Sequence, residues 1–108
     1  MGPDDPRLEE VRQFVREGRY RLTLHAENER DQDRIPVREI EEALCSSKAE
    51  IIEDYPDDPR GRSFLLLGFT EAGMPIHAVC ALAEELVIIT LYRPDSRRWI
   101  DWRKRREG

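Results

Sequence analysis

The sequence predicts an α+β domain: a single antiparallel β-sheet, a meander of about four strands, packed by N-terminal helices and followed by a short C-terminal helix. Three observations predict it. Apolar residues recur at helical spacing in the first part of the chain, as in Leu8, Val11 and Val15 and again in Val37, Ile40, Ala43 and Leu44. Between residues 51 and 94 the apolar runs take strand length and are broken by turn residues. The connections between those runs are shorter than the roughly dozen residues that a parallel crossover needs, so successive strands pair antiparallel.

The elements follow in order. A first helix is expected over residues 6–17, where Asp5 can cap it, Pro6 suits the first helical position and Gly18 can end it. Residues 20–24 alternate Tyr20, Leu22 and Leu24 with Arg21 and Thr23, a short extended segment. Residues 25–33 are dense in charge and amide with almost no apolar stripe, which fits a short exposed helix or a structured loop, the helix being preferred. Pro36 breaks that helix and starts another, which Ser46 and Ser47 end. Sheet begins at Ile51 and Ile52, turns through 55–61, and continues in runs over 63–69, 76–82 and 86–92. Strand periodicity puts His77, Val79 and Ala81 on one face, and Leu86, Ile88, Thr90 and Tyr92 on one face of the next run. A histidine, a threonine and a tyrosine are thereby expected to meet on one sheet surface. Pro94 stops the last strand, and Asp95 or Ser96 can cap a terminal helix carrying Trp99 and Trp102.

With 108 residues, the chain has room for one domain and a real core. Its 39% hydrophobic and 38% charged residues describe a globular protein with a heavily charged exterior, not a disordered tail. No apolar run approaches the ~20 residues of a membrane helix, and residues 1–6 lack the features of a secretory signal, so a cytoplasmic location with no membrane partner is expected. Cys45 and Cys80 form no CxxC or paired spacing and read as buried small hydrophobes. The net charge of −5 argues against nonspecific nucleic-acid binding by the whole surface. That charge is uneven: residues 97–106 hold six basic residues and one acid, Asp101, whereas 4–10 and 50–58 are acidic.

Four segments, Ile51-Ile52-Glu53-Asp54-Tyr55-Pro56-Asp57-Asp58, Leu67-Gly68-Phe69-Thr70, Gly73-Met74-Pro75-Ile76-His77-Ala78-Val79 and Ile88-Ile89-Thr90-Leu91-Tyr92-Arg93-Pro94-Asp95, together resemble a small bacterial family known as domain of unknown function 4258. His25-Ala26, the arginines after it and Trp99 also match, so the resemblance covers about 20–102. Such domains look like relatives of the RelE-type toxin fold, and their genes often lie beside small zinc-finger antitoxins of the kind that pair with MqsR. The resemblance therefore implies a curved, RelE-like sheet backed by helices, an RNA-cleaving surface on its open face, and an antitoxin protein as partner. Fold-level likeness is an association and does not by itself carry an activity.

Metal-free RNA cleavage needs a base for the 2′-hydroxyl, an acid for the leaving 5′-oxygen and cations for the phosphate. Only His25 and His77 can serve the proton roles as imidazoles, and arginine offers phosphate a planar donor fork. The expectation is therefore a toxin component, a metal-independent RNA endonuclease of mRNA-interferase type that needs no cofactor. His25 and His77 would share the proton transfers with help from Tyr92, and Arg30, Arg34, Arg62 and Arg93 would hold phosphate. Each residue also has a plainer reading: His77 as a hydrogen-bonded sheet histidine, His25 as a helix cap, Arg30 and Arg34 as a surface ion-pair set among acids, and Tyr92 as a half-buried side chain. Trp99 and Trp102 among arginines could form a nucleic-acid platform or a partner-docking face. The alternative to the nuclease is a non-catalytic protein-interaction module with the same fold. Metal binding finds no support, because His77 and Cys80 point to opposite faces of a strand and the acids at 53–58 lack calcium-loop spacing. The nuclease expectation requires both imidazoles to converge with guanidinium groups in a solvent-open cleft.

Overall fold

Asp5 and Gly18 bound the first helix: the Asp5 carboxylate accepts from the backbone N–H of Arg7 at 2.9 Å, and Gly18 takes φ +69° after the last turn. The structure, a computed structural model describing residues 1–107, places this helix, α1, at Arg7–Arg16, with Leu8, Val11 and Val15 buried. β1 (Tyr20–Leu22) follows, then α2 (Leu24–Asp33) and α3 (Val37–Leu44). The cap of α2 is Thr23, not His25. Its hydroxyl accepts from the Ala26 N–H at 3.1 Å and donates to the Ile89 carbonyl at 2.9 Å, fastening the helix start to the sheet.

Four strands, β2 (Glu50–Tyr55), β3 (Ser63–Phe69), β4 (Pro75–Leu82) and β5 (Leu86–Tyr92), form the antiparallel meander expected from the short connections. A fifth strand changes the sheet's character. β1 adds to the outer edge of β5 in parallel register, Tyr20 opposite Leu86 and Leu22 opposite Ile88, giving a mixed sheet of order β1-β5-β4-β3-β2. A purely antiparallel four-strand sheet is thus corrected. The extended run at 20–24 has a far-off partner that periodicity cannot reveal.

β1 is too short to cover the whole edge of β5, which leaves backbone donors exposed beyond Ile88. α2 answers them with carboxylates: Glu29 accepts from the Leu91 N–H at 3.0 Å and Asp33 from the Arg93 N–H at 2.8 Å. This explains how a helix with only Ala26 buried is held in place.

The helices cover one sheet face, where Phe64, Leu66, Ile76, Ala78, Cys80, Leu86, Ile88 and Leu91 join the buried residues of α1 and α3. α3 crosses β3 so closely that a Cβ at Gly68 would lie 2.0 Å from the Ala43 carbonyl oxygen. His77 lies on the other face, as its alternation with Ile76 and Ala78 requires. The expected grouping of Leu86 and Ile88 with Thr90 and Tyr92 fails at a β-bulge: Val79 pairs with Thr90 but the next residue, Cys80, pairs with Ile88. The extra residue lets Leu86 and Ile88 enter the core while Tyr92 keeps to the His77 face.

The expected C-terminal helix is also corrected. Asp95 does begin a turn, its carboxylate accepting from the Arg97 N–H at 2.8 Å and its carbonyl from Arg98 and Trp99. The chain then forms a hairpin, β6 (Trp99–Ile100) with β7 (Lys104–Arg105), turned by Asp101 at φ +52° and Trp102 at φ +63°. Two successive left-handed residues preclude a helix there. Burial of Trp99 against the sheet outweighs the local capping signal, and Leu65 and Leu67, which face away from the helices, are fully buried too. No helix of the described residues is long and apolar enough to cross a membrane.

Candidate functional site

Burial and turn geometry bring His77, Tyr92, Trp99 and Trp102 together. His77 and Tyr92 are cross-strand partners on β4 and β5, and the Tyr92 hydroxyl lies 3.0 Å from His77 Nδ1. The Trp102 carbonyl, aimed inward by the left-handed turn, lies 2.7 Å from Nε2. A carbonyl can only accept, so Nε2 carries the proton and Nδ1 accepts from the tyrosine. Trp99 packs edge-on against the imidazole, with ring centroids 4.5 Å apart. The hairpin is clamped by Arg105, whose guanidinium gives two hydrogen bonds to Glu53 at 2.9 and 3.1 Å and stacks over Trp99 at 4.7 Å. Glu53 is in turn hydrogen-bonded by the Tyr55 hydroxyl.

This environment fixes protonation states. Burial lowers the His77 pKa to about 4, against the opposing pull of the Trp102 carbonyl and Glu53, so the ring is neutral at pH 7. Burial pushes the Tyr92 phenol up to about 12, keeping it a donor. The Cys80 thiol, wholly buried, is likewise pushed up to about 12 and inert, whereas Cys45 is only half-buried; both cysteines are free.

The two imidazoles share no hydrogen bond or ring contact among the described residues. His77 is 0% exposed beneath the hairpin, whereas the His25 side chain is 67% exposed on α2, with Nε2 3.2 Å from Glu29. A single solvent-open cleft holding both rings is therefore not the arrangement found. The strand faces that put His77 beside Tyr92 gave no warning of a cover, because the covering segment read as a helix.

The expected phosphate-binding arginines scatter. Arg30 bonds Glu27 at 2.7 Å and the Ile35 carbonyl at 3.1 Å. Arg34 ends α2 in the left-handed region at φ +55° and shares with Arg30 a shallow hollow of about 310 Å³. Arg62 pairs with Asp54 at 3.0 Å. Arg93 serves as a clamp, its guanidinium reaching the carbonyls of Asp33 and Arg34 and the Glu39 carboxylate at 2.9 to 3.0 Å. Arg93 alone of these four lines a larger hollow of about 710 Å³ between the end of β5 and the hairpin. Tyr92 and Trp99 also line it, together with Arg97, Arg98, Arg105 and Arg106. These last four were not among the expected site residues, although the basic run at 97–106 carried their signal.

Among the described residues, no group of three or more histidine, cysteine or acidic side chains is placed to hold a metal ion. The site offers instead a neutral imidazole hydrogen-bonded to a phenol, next to a concentration of guanidinium groups. Such a set can relay a proton and steady an anion. Residues 22–93 match a family model described as a domain of unknown function (DUF4258). No curated protein and no solved structure matches the chain.

Proposed function

The chain belongs to the DUF4258 family of domains of unknown function, and on that premise we propose that it acts on RNA as the toxin component of a bacterial toxin–antitoxin pair, cleaving phosphodiesters without metal. One observation carries this reading: Tyr92 both donates to the His77 imidazole at 3.0 Å and lines the arginine-rich hollow. Proton-handling groups thus border a surface suited to phosphate. The covered His77 meets no solvent, so the reading requires the Asp101–Trp102 turn to lift from the imidazole before chemistry, while the base of the hairpin stays beside the end of β5. The RelE-like relationship and a zinc-finger antitoxin as partner belong to this proposal.

The test is expression with and without a neighbouring antitoxin, together with incubation of the purified protein with RNA, free and on ribosomes. Growth arrest and RNA cleavage that Tyr92→Phe and His77→Ala both abolish, in proteins shown to fold, would support the reading. Harmless expression with intact RNA would overturn it.

A second reading, a non-catalytic protein-interaction module, is favoured by the way the chain consumes its own cations. Arg30, Arg62 and Arg93 each face a carboxylate of the same chain, and Leu24 beside His25 is 78% exposed. Antitoxin binding that survives His77→Gln, with no RNA cleaved under any condition, would select this module over the nuclease.

A further inference from the structure

On the reading that the chain acts on RNA, we propose that the hollow between the end of β5 and the C-terminal hairpin holds a stretch of single-stranded RNA by its phosphates, gripped by Arg98 and Arg106. Its volume of about 710 Å³ falls in the range of ligand-sized clefts. A space of that size, bounded on one side by the hairpin, accommodates a short length of one strand.

The arginines of the hollow are not equivalent. Arg93 is paired with Glu39, Arg97 with Asp95 and Arg105 with Glu53. Among the described residues no carboxylate lies within ion-pair distance of Arg98 or Arg106, and Arg106 commits only its Nε, to the Ser96 carbonyl at 2.9 Å. Both side chains are exposed. They are also held side by side: the Arg106 N–H donates to the Arg98 carbonyl at 2.9 Å across the base of the hairpin. Two adjacent guanidinium forks with unspent donors form a grip for phosphate oxygens. Asp95 is already taken by Arg97, so among the described residues Glu107 is the opposing charge left at the rim.

The aromatic residues indicate which part of the strand is read. Trp99 is 4% exposed, with His77 against its ring and Arg105 over its face, so it has no free surface on which a base could stack. The contact made by Arg98 and Arg106 is therefore with the sugar–phosphate backbone, and half-buried Tyr92 is the aromatic side chain left beside it in the hollow.

The test is fluorescence anisotropy of a short labelled single-stranded RNA against the full chain over a series of salt concentrations. Arg98→Ala/Arg106→Ala, changed at exposed positions, is expected to weaken binding roughly tenfold near 0.1 M salt and to flatten the log–log salt slope by about 1.4, two contacts at ~0.7 each. Arg16→Ala on α1 is the control and leaves both unchanged. No detectable binding, binding that ignores both substitutions, or binding of heparin but not RNA would overturn the proposal. RNA binding that depends on both arginines without any cleavage keeps this site and removes the nuclease. Cleavage that persists undiminished in the double variant does the reverse.

Discussion

Mild acid should weaken the fold through His77 before the carboxylates titrate. In the unfolded chain its imidazole takes a proton near pH 6.5, whereas in the native protein it refuses one until about pH 4. The unfolded state therefore binds more protons between those values, so stability rises with pH there. The His77 contribution is complete above 6.5 and is lost as pH falls toward 4. At pH 5 the unfolded imidazole is about 1.5 pH units past its midpoint, which at about 1.4 kcal/mol per unit makes the loss relative to pH 7 about 2 kcal/mol. The ceiling, reached near pH 4, is about 3 kcal/mol. Urea titrations followed by tryptophan fluorescence would read this as a midpoint lower by about 1 M at pH 5 than at pH 7. His77→Gln should abolish the difference, whatever it does to stability at pH 7, and His25→Gln should preserve it. A wild-type midpoint that is flat over this interval, or a His77→Gln protein that keeps the full drop, would refute a buried neutral imidazole.

Three further outcomes follow from the packing. Gly68→Ala would drive a methyl group into the Ala43 carbonyl of α3, and denaturant titration should show a loss of at least about 2 kcal/mol. Arg34→Gly relieves a left-handed position that penalises any Cβ, so it should gain about 0.5–1 kcal/mol in the same assay, because the Arg34 carbonyl that receives Arg93 is kept. Trp99→Ala should cost about 3–5 kcal/mol, and in the protein that remains folded the His77 imidazole, followed by NMR, should titrate closer to 6.5 than to 4.

What could be read from residues alone was local. The helix stripes, the breaks at Gly18 and Pro36 and the turns between strands specify neighbouring backbone, and they delivered the three helices and the meander. The same alternation placed His77 beside Tyr92. Three features escaped because each depends on residues distant in the chain. β1 finds its partner at Leu86–Ile88, the bulge opposite Thr90 swaps strand faces, and the segment after Asp95 gives up a helix to bury Trp99 on the sheet. The candidate site lies where those long-range contacts meet. Its aromatic and basic components were visible as composition, whereas its cover was not.

The seam between β1 and β5 bears on the order in which the molecule can assemble. Tyr20–Leu22 must wait for a strand that emerges only after three others have been synthesised, and the Glu29 and Asp33 carboxylates wait for the same strand's N–H groups. On the ribosome α3 can dock on β3 as soon as Ser63–Phe69 has emerged, but β1 and α2 lack their partner until Leu86–Tyr92 clears the exit tunnel. Such late closure of the sheet edge, by a pairing of high sequence separation, slows folding.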